Sequence, residues 1–158
     1  MADHLPGGGS AEFLECFRND LRYGKPKYAV WMMGMNDFND EDGKPAPAWM
    51  SATEGFLSLC SEHDITPVLV TIPTVPERCH DFKTRWIRES GYRYIDWYDA
   101  VGAKPWDGGR KDRRCMRKTG KHRGWDKDYL YQDGVHPSES GASVLWKQVK
   151  EDLPEIIM

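Results

Sequence analysis

The chain has 158 residues, a length that suits one domain large enough to bury a single core. Apolar side chains make up 39% of it and seven residues are tryptophan, which favours a folded protein over a disordered one. The formal net charge of -3 is too small to indicate binding to nucleic acid or to a charged membrane surface.

The cysteines and the first residues bear on where the protein works. Cys16, Cys60, Cys79 and Cys115 lie far apart, without a C-x-x-C pair or a histidine at zinc spacing, so we predict free thiols in a reducing compartment. The chain opens without a basic stretch followed by an apolar run, and no apolar run reaches the roughly 20 residues of a membrane span. We expect a cytoplasmic protein, unless a segment ahead of residue 1 carries a signal.

Helices and strands are predicted to alternate along the chain. Apolar residues at helical spacing predict helices over residues 10–23, 48–63, 79–89 and 140–153, and unbroken apolar runs predict strands over residues 28–33, 67–72 and 92–97. The first strand is expected to be buried on both faces, and the last helix to turn Ala142, Leu145, Val149 and Leu153 inward. This order predicts a doubly wound α/β fold with a parallel sheet, whose ligands bind beyond the carboxyl ends of the strands.

The motif GMND, residues 34–37, follows the first predicted strand. A strand end that delivers Asn36 into the crevice offers a side-chain amide that can donate to a developing oxyanion. A surface turn is the plainer interpretation, because glycine, asparagine and aspartate all favour turns.

A second motif, DGVHP, precedes the last predicted helix. An imidazole that acts as a general base needs a carboxylate to hold one tautomer, and Asp133 and His136 are close enough in sequence to meet locally. The alternative is an Asp-Gly turn beside a helix-capping loop. The other histidines, His4, His63, His80 and His122, lack such a context.

Together, YAVWMMGMND and LYQDGVHPSESGASVL resemble two sequence blocks of the SGNH hydrolases, also called GDSL-like lipases and acylhydrolases. The resemblance implies a flavodoxin-like three-layer α/β/α fold and hydrolysis of carboxylic esters by a Ser-His-Asp mechanism. It implies Asn36 and the amide of Gly7 or Gly8 as oxyanion donors, with Asp133 and His136 as the acid and base of the triad. It implies no metal and no organic cofactor.

The family's GDS block, which carries the nucleophilic serine after a first strand, has no counterpart in this sequence. We therefore expect residues 1–158 to be one SGNH hydrolase-like domain that lacks its N-terminal strands. Ser10 follows three glycines but no strand, so we predict an N-cap there rather than a replacement nucleophile. Without a first strand in the middle of the sheet, the strand over 28–33 would be an open edge that favours self-association.

Substrate and alternatives are less constrained by the sequence. Aromatic residues near the predicted loops, such as Trp49, Trp97 and Trp125, suit sugar rings as well as acyl chains, which favours O-acetyl groups on carbohydrates. Residues 104–127 contain ten Lys or Arg against three Asp, and we interpret them as a basic inserted surface loop. Two other functions stay open: an inactive hydrolase remnant, and a flavodoxin-like module that binds phosphate or another small ligand where GGGS begins a helix.

Overall fold

A computed structural model describes residues 8–37, 40–75, 78–105, 129 and 136–156. In chain order its elements are α1 (Ser10–Asp20), β1 (Tyr28–Trp31), α2 (Pro47–Glu62), β2 (Thr66–Val70), α3 (Asp81–Glu89), β3 (Arg93–Ile95), α4 (Trp97–Ala100), α5 (Glu139–Asp152) and a 3-10 turn (Pro154–Ile156). The predicted alternation of helices and strands is confirmed, with α4 as an addition.

The three strands form one parallel sheet in the order β1-β2-β3. Val30 of β1 lies opposite Val68 of β2, and Val68 lies opposite Arg93 of β3. Because β2 is central, its residues Val68, Leu69 and Val70 are all buried. A strand with a neighbour on each side and helices on both faces has to be apolar throughout, which is why this segment reads as an unbroken run.

Two apolar clusters occupy the two faces of the sheet and give the fold its three layers. Leu69 faces a cluster that also contains Trp31, Phe56 and Ile87, against which α1, α2 and α3 pack. Val68 and Val70 point the other way, into a cluster completed by α4 and α5. This alternation along one strand confirms the predicted α/β/α architecture with a parallel sheet.

Several local expectations were wrong. β1 is not buried on both faces, since Val30 is 49% exposed and Met32, just after the strand, is 42% exposed. The N-cap of α1 is Gly9, and Ser10 is the first residue of the helix. In α5 and at its C-cap, Leu145, Val149 and Leu153 pack in the second cluster as predicted, but Ala142 is exposed. Gly141 is the buried residue of the first turn, where the backbone of Tyr129 packs against it.

The remaining expectations concern cysteines and membranes. Cys16, Cys60 and Cys79 are free thiols, and Cys115 lies outside the described residues. None of the described helices has the length and apolar character needed to cross a bilayer. The basic loop over 104–127 lies almost entirely outside the described residues.

Candidate active site

The chain turns sharply just beyond the carboxyl end of β1. Gly34 has φ +138, and a Cβ there would come within 3.0–3.1 Å of three neighbouring side chains, Trp49, Ile72 and Lys83. Glycine is therefore required for both its conformation and its lack of a side chain. The amide of Asp37 donates to the carbonyl of Gly34 at 3.1 Å, which closes a turn with Asn36 at its exposed tip.

The side-chain amide of Asn36 is held at both ends. Its Nδ2 donates to the carbonyl oxygen of Gly8 at 3.1 Å, and its Oδ1 accepts from Nη1 of Arg78 at 3.2 Å. Gly8 precedes α1 and Arg78 follows β2, so two separate elements fix one amide group. Of the sequence-predicted oxyanion residues, the structure thus brings Asn36 and Gly8 together.

Asp37 connects the same turn to the start of α1. Both oxygens of its carboxylate accept from the backbone amide of Ser10, at 3.2 and 3.1 Å, and the Ser10 hydroxyl donates to Oδ2. A carboxylate at this place satisfies a free amide of the first helical turn and complements the helix dipole. A Cβ on Gly9 would lie 3.1 Å from Oδ1 of Asp37, which explains the glycine.

This contact decides the role of Ser10. Its side chain is fully buried, and its hydroxyl donates to the carboxylate of Asp37. A nucleophile has to be open to the substrate and beside a general base. The geometry therefore favours a structural role for Ser10, as the sequence predicted, although at the first helical position rather than as the N-cap.

A buried ion pair anchors the far end of the loop between β1 and α2. Asp40 is 5% exposed and Lys83 of α3 is fully buried, and Lys83 Nζ donates to Asp40 Oδ1. Asp40 also accepts from the backbone amide of Ala46 at 2.9 Å and from that of Lys83 at 3.0 Å. Because it carries charge-assisted hydrogen bonds to three donors, the carboxylate is well satisfied in spite of its burial.

His80 completes this cluster. Its Nδ1 lies 3.0 Å from Lys83 Nζ, and since an ammonium can only donate, Nδ1 is the acceptor. Burial, together with the positive charges of Lys83 and Arg78, holds the pKa of His80 well below its ordinary value. Burial also lowers the pKa of Lys83, against the opposing pull of Asp40. His80 is thus a neutral histidine inside the fold, and its Nε2 has no hydrogen-bond partner among the residues that the structure describes.

His136 lies two residues before the N-cap of α5 and is exposed. The N-cap is Ser138, whose Oγ accepts from the amide of Gly141 at 3.1 Å and whose own amide donates to the carbonyl of Tyr129 at 2.9 Å. A Cβ on Gly141 would overlap that same carbonyl oxygen. The base predicted from the sequence is therefore attached to a helix start that is fixed mainly through backbone contacts.

The direction of α5 sets the side of the sheet on which its N-terminus lies. Near its C-terminal end, Glu155 accepts from Arg93 at the start of β3, and Asp152 accepts from the amide of Asp96 after that strand. One turn earlier, Gln148 lies beside α4. The helix therefore runs antiparallel to the strands, and its beginning points toward their carboxyl ends.

Two predicted site residues, Asp133 and Gly7, lie outside the described residues. Sequence reasoning missed three others that surround the Asn36 turn, namely Arg78, Asp40 and Lys83. Lys83 offered one signal, because it precedes Ile87 by four residues and so shares that residue's inward helix face. Asp40 and Arg78 gave none, since their partners are distant in the sequence.

A depression of about 400 Å³ lies elsewhere, between β3, α4 and α5. Asp96, Asp99 and Asp152 line it, and Asp96 is paired with Arg88 at 2.9 Å. Asn36 and His136 are not among its lining residues. Its polar groups serve to dock α5, so the turn at Asn36 is the better candidate site.

Comparisons with known proteins support the fold. No family model matches the chain, and no curated protein matches it at a significant level. Solved structures do match it, among them three GDSL-like or lipolytic proteins. A GDSL-like lipase from Bacteroides thetaiotaomicron has a TM-score of 0.65 at 16% identity, and the match covers 95% of this chain and 73% of that one.

The other two structures give the same picture. A candidate acylhydrolase from Bacteroides fragilis has a TM-score of 0.67 at 16% identity, covering 96% of this chain and 73% of the other. A candidate lipolytic protein of the G-D-S-L family from Desulfitobacterium hafniense has a TM-score of 0.64 at 14% identity, covering 93% and 77%. This chain therefore has the fold of GDSL-like lipase and acylhydrolase structures.

Proposed function

We propose that the chain is the larger part of a carboxylic ester hydrolase of the SGNH, or GDSL-like, type. In this proposal Asn36 and the amide of Gly7 or Gly8 donate to the oxyanion. His136 is the general base and Asp133 orients its imidazole. The nucleophile is a serine outside this sequence.

One observation carries the proposal: the Asn36 amide is fixed beyond the carboxyl end of β1, in a fold shared with GDSL-like lipases. Parallel α/β sheets bind their ligands at this end of the strands. An amide that is already fixed before substrate arrives stabilises developing charge without reorganisation, which is the property an oxyanion donor needs. The direction of α5, which sends its N-terminus toward the same end, supports the role given to His136.

The proposed steps follow the serine hydrolase mechanism. The serine hydroxyl attacks the ester carbonyl while His136 Nε2 takes its proton, and the carbonyl oxygen becomes an oxyanion that accepts from Asn36 Nδ2. Collapse of the tetrahedral intermediate leaves the acyl group on the serine and expels the alcohol, to which the imidazolium returns the proton. Water, activated by the same imidazole, then hydrolyses this acyl-serine, which releases the carboxylic acid and restores the serine hydroxyl.

The burial of Ser10 makes a separate test of the nucleophile possible. A fluorophosphonate probe reacts with an activated serine, and we expect it not to label the chain at Ser10, whose hydroxyl is bound to Asp37. The protein expressed with all of the coding sequence in its gene should be labelled at a serine outside residues 1–158. Labelling at Ser10 would overturn the structural role assigned to that residue.

The phosphate-binding alternative is weakened by one contact. The amide of Ser10 at the start of α1 already donates to the carboxylate of Asp37. That negative charge both occupies the donor and repels a phosphate. The main alternative is then an inactive hydrolase remnant, and a measurement of activity distinguishes it from an active hydrolase.

The activity test is hydrolysis of p-nitrophenyl acetate by the full gene product and its variants. Asn36→Ala should lower kcat by about 100- to 1,000-fold, as the loss of an oxyanion donor does. His136→Ala should lower it by at least about 10,000-fold. Asn19→Ala, on an exposed face of α1, and His63→Ala are matched controls that should retain the activity. An inactive gene product would favour the remnant.

The substrate part of the proposal is that the ester is an O-acetyl group on a carbohydrate. Release of acetate from acetylated xylan should then be faster than hydrolysis of p-nitrophenyl esters with long acyl chains. Equal or greater rates on long acyl chains would instead indicate a lipase-like preference.

A further inference from the structure

Arg78 makes a contact that the hydrolase mechanism does not itself require. Its Nη1 donates to the backbone carbonyl of Met35 at 3.0 Å and to Oδ1 of Asn36 at 3.2 Å. We propose that Arg78 is a positioning residue that determines which end of the Asn36 amide faces the substrate. This inference rests on the proposed function, and it concerns the orientation of one side chain within it.

The chemical problem is that an asparagine amide has two ends of nearly equal size. The oxygen accepts hydrogen bonds and the nitrogen donates them, so only one of the two orientations supplies a donor to an oxyanion. An arginine has five N–H donors and no acceptor. Placed beside Asn36, a guanidinium can hydrogen-bond only to the oxygen end, which turns Nδ2 away from Arg78.

Gly8 imposes the complementary condition on the other end of the amide. Its carbonyl oxygen can only accept, and it receives Nδ2 at 3.1 Å. One proton of the NH2 group is used there, and the second is left for an oxyanion. The Arg78 guanidinium, which can only donate, and the Gly8 carbonyl, which can only accept, thus favour the same orientation of the Asn36 amide.

The guanidinium is itself fixed, which is what allows it to fix Asn36. The backbone of Arg78 is paired with that of Val75 in both directions, at 2.9 and 3.3 Å. The next residues are held by Thr74, whose Oγ1 accepts from the amide of His80 at 2.9 Å and donates to Asp81 at 2.8 Å. The bond to the Met35 carbonyl then ties Arg78 to the residue preceding Asn36.

A charged donor on Oδ1 also polarises the amide. Withdrawing electron density toward the oxygen makes the N–H group a stronger donor, and hydrogen bonds in a chain strengthen one another. Arg78 should therefore contribute to the rate of the chemical step. It should contribute little to binding of the uncharged ester.

The first test uses the chain itself and does not depend on activity. The side-chain amide of Asn36 is followed by ¹⁵N–¹H NMR in wild type, Arg78→Lys and Arg78→Met, with Arg22→Met as the control that also loses one guanidinium. In Arg78→Met we expect solvent exchange of the Asn36 Nδ2 protons to rise about tenfold, as suits the loss of one charge-assisted hydrogen bond. In Arg78→Lys, which keeps a cationic donor, the exchange rate should lie between those of wild type and Arg78→Met. In Arg22→Met it should equal that of wild type.

The second test is kinetic and uses the full gene product. Arg78→Met should lower kcat on p-nitrophenyl acetate by roughly tenfold with KM nearly unchanged, a smaller loss than that expected for removing the oxyanion donor itself. In an Asn36→Ala background the same substitution should have no further effect. Melting temperatures of all variants show whether a loss reflects unfolding instead.

The outcomes separate this inference from the proposed function. If Asn36 is released in Arg78→Met but the wild-type gene product hydrolyses no ester, the positioning contact is real and the proposed function is wrong. If the gene product is active and Arg78→Met changes neither the Asn36 resonances nor kcat, the positioning role is wrong while the function stands.

Discussion

The two halves of the candidate site are fixed in different ways. The Asn36 turn is held by charged side chains from separate elements, including the Asp40–Lys83 pair, which is buried beside it. His136 is exposed, and the helix start that follows it is held by the Ser138 cap and the carbonyl of Tyr129. Asn36, the proposed oxyanion donor, is thus held by polar contacts from separate elements, whereas His136, the proposed base, depends on the cap and close packing of one helix.

The largest effect should come from breaking the buried ion pair. Lys83→Met leaves the Asp40 carboxylate buried without its cation, and we expect the free energy of unfolding to fall by about 3–5 kcal/mol. Adding Asp40→Asn removes the uncompensated charge and should recover part of the loss. Urea denaturation measures both.

Lys44→Met is the matched control, because it removes an exposed lysine from the same loop. Its effect should stay within about 0.5 kcal/mol, as is usual for surface substitutions. If Lys83→Met were as mild, the ion pair would not anchor the Asn36 half of the site.

The His136 half is tested by Gly141→Ala. A glycine in a helix is normally improved by alanine, but here the new methyl group would overlap the carbonyl oxygen of Tyr129. We expect a loss of about 1–3 kcal/mol from overpacking, measured by urea denaturation.

The neighbouring position is a control for ordinary helix propensity, because there the reverse substitution should be the unfavourable one. Ala142 is exposed, so Ala142→Gly should cost about 1 kcal/mol through helix propensity alone. A stabilising Gly141→Ala would mean that the helix start does not pack closely on Tyr129.

His80 makes the Asn36 half sensitive to acid. Because its pKa in the folded protein lies well below 6.5, the unfolded chain takes up a proton first as the pH falls, and stability is lost below that value. As the pH falls below 6.5, this one histidine should therefore lower the free energy of unfolding progressively.

His80→Asn, which keeps an acceptor for Lys83 near the position of Nδ1, should remove this share of the pH dependence. His63→Gln retains His80 and should keep it. Equal slopes in wild type and His80→Asn would show that His80 is accessible to protons in the folded state.

The two edge strands of the sheet also differ in how many contacts hold them. The ends of β3 are tied to α5 and to the 3-10 turn, through the contacts of Asp96 with Asp152 and of Arg93 with Glu155. β1 is the other edge among the described strands, and Val30 within it and Met32 just after it are exposed. We propose that the isolated chain associates through this edge.

Sedimentation velocity at rising protein concentration tests that association. Val30→Lys with Met32→Lys should weaken it by up to about tenfold, or about 1.4 kcal/mol, because charges on an edge strand oppose pairing. Tyr23→Lys replaces an exposed apolar residue away from the edge and should leave the association unchanged. A strictly monomeric chain would contradict the proposal.

The sequence predicted the fold best where it contains an unbroken apolar run or several turns of helical periodicity. The runs around β1 and β2 and the amphipathic stretch of α2 fall within two residues of the observed elements. α4 was missed because four residues are too few to show a helical period. The exposure of Val30 was missed because, in the sequence, an exposed apolar residue of a strand looks the same as a buried one.

The candidate site was predictable only in part, and for a physical reason. Asn36 follows a strand in a local motif, so its place could be inferred. The contacts of Arg78 with Asn36 and of Lys83 with Asp40 join residues about 40 positions apart, and such pairings arise from packing of α3 and the β2 loop against the turn. No local sequence pattern predicts these two contacts.

The most direct test of the central claim is a crystal structure of the full gene product after reaction with diethyl p-nitrophenyl phosphate, whose tetrahedral adduct resembles the intermediate of ester hydrolysis. The account predicts a phosphoryl oxygen about 2.7–3.1 Å from Asn36 Nδ2, with the imidazole of His136 lining the same pocket. An adduct formed away from Asn36, or a pocket that excludes His136, would contradict it.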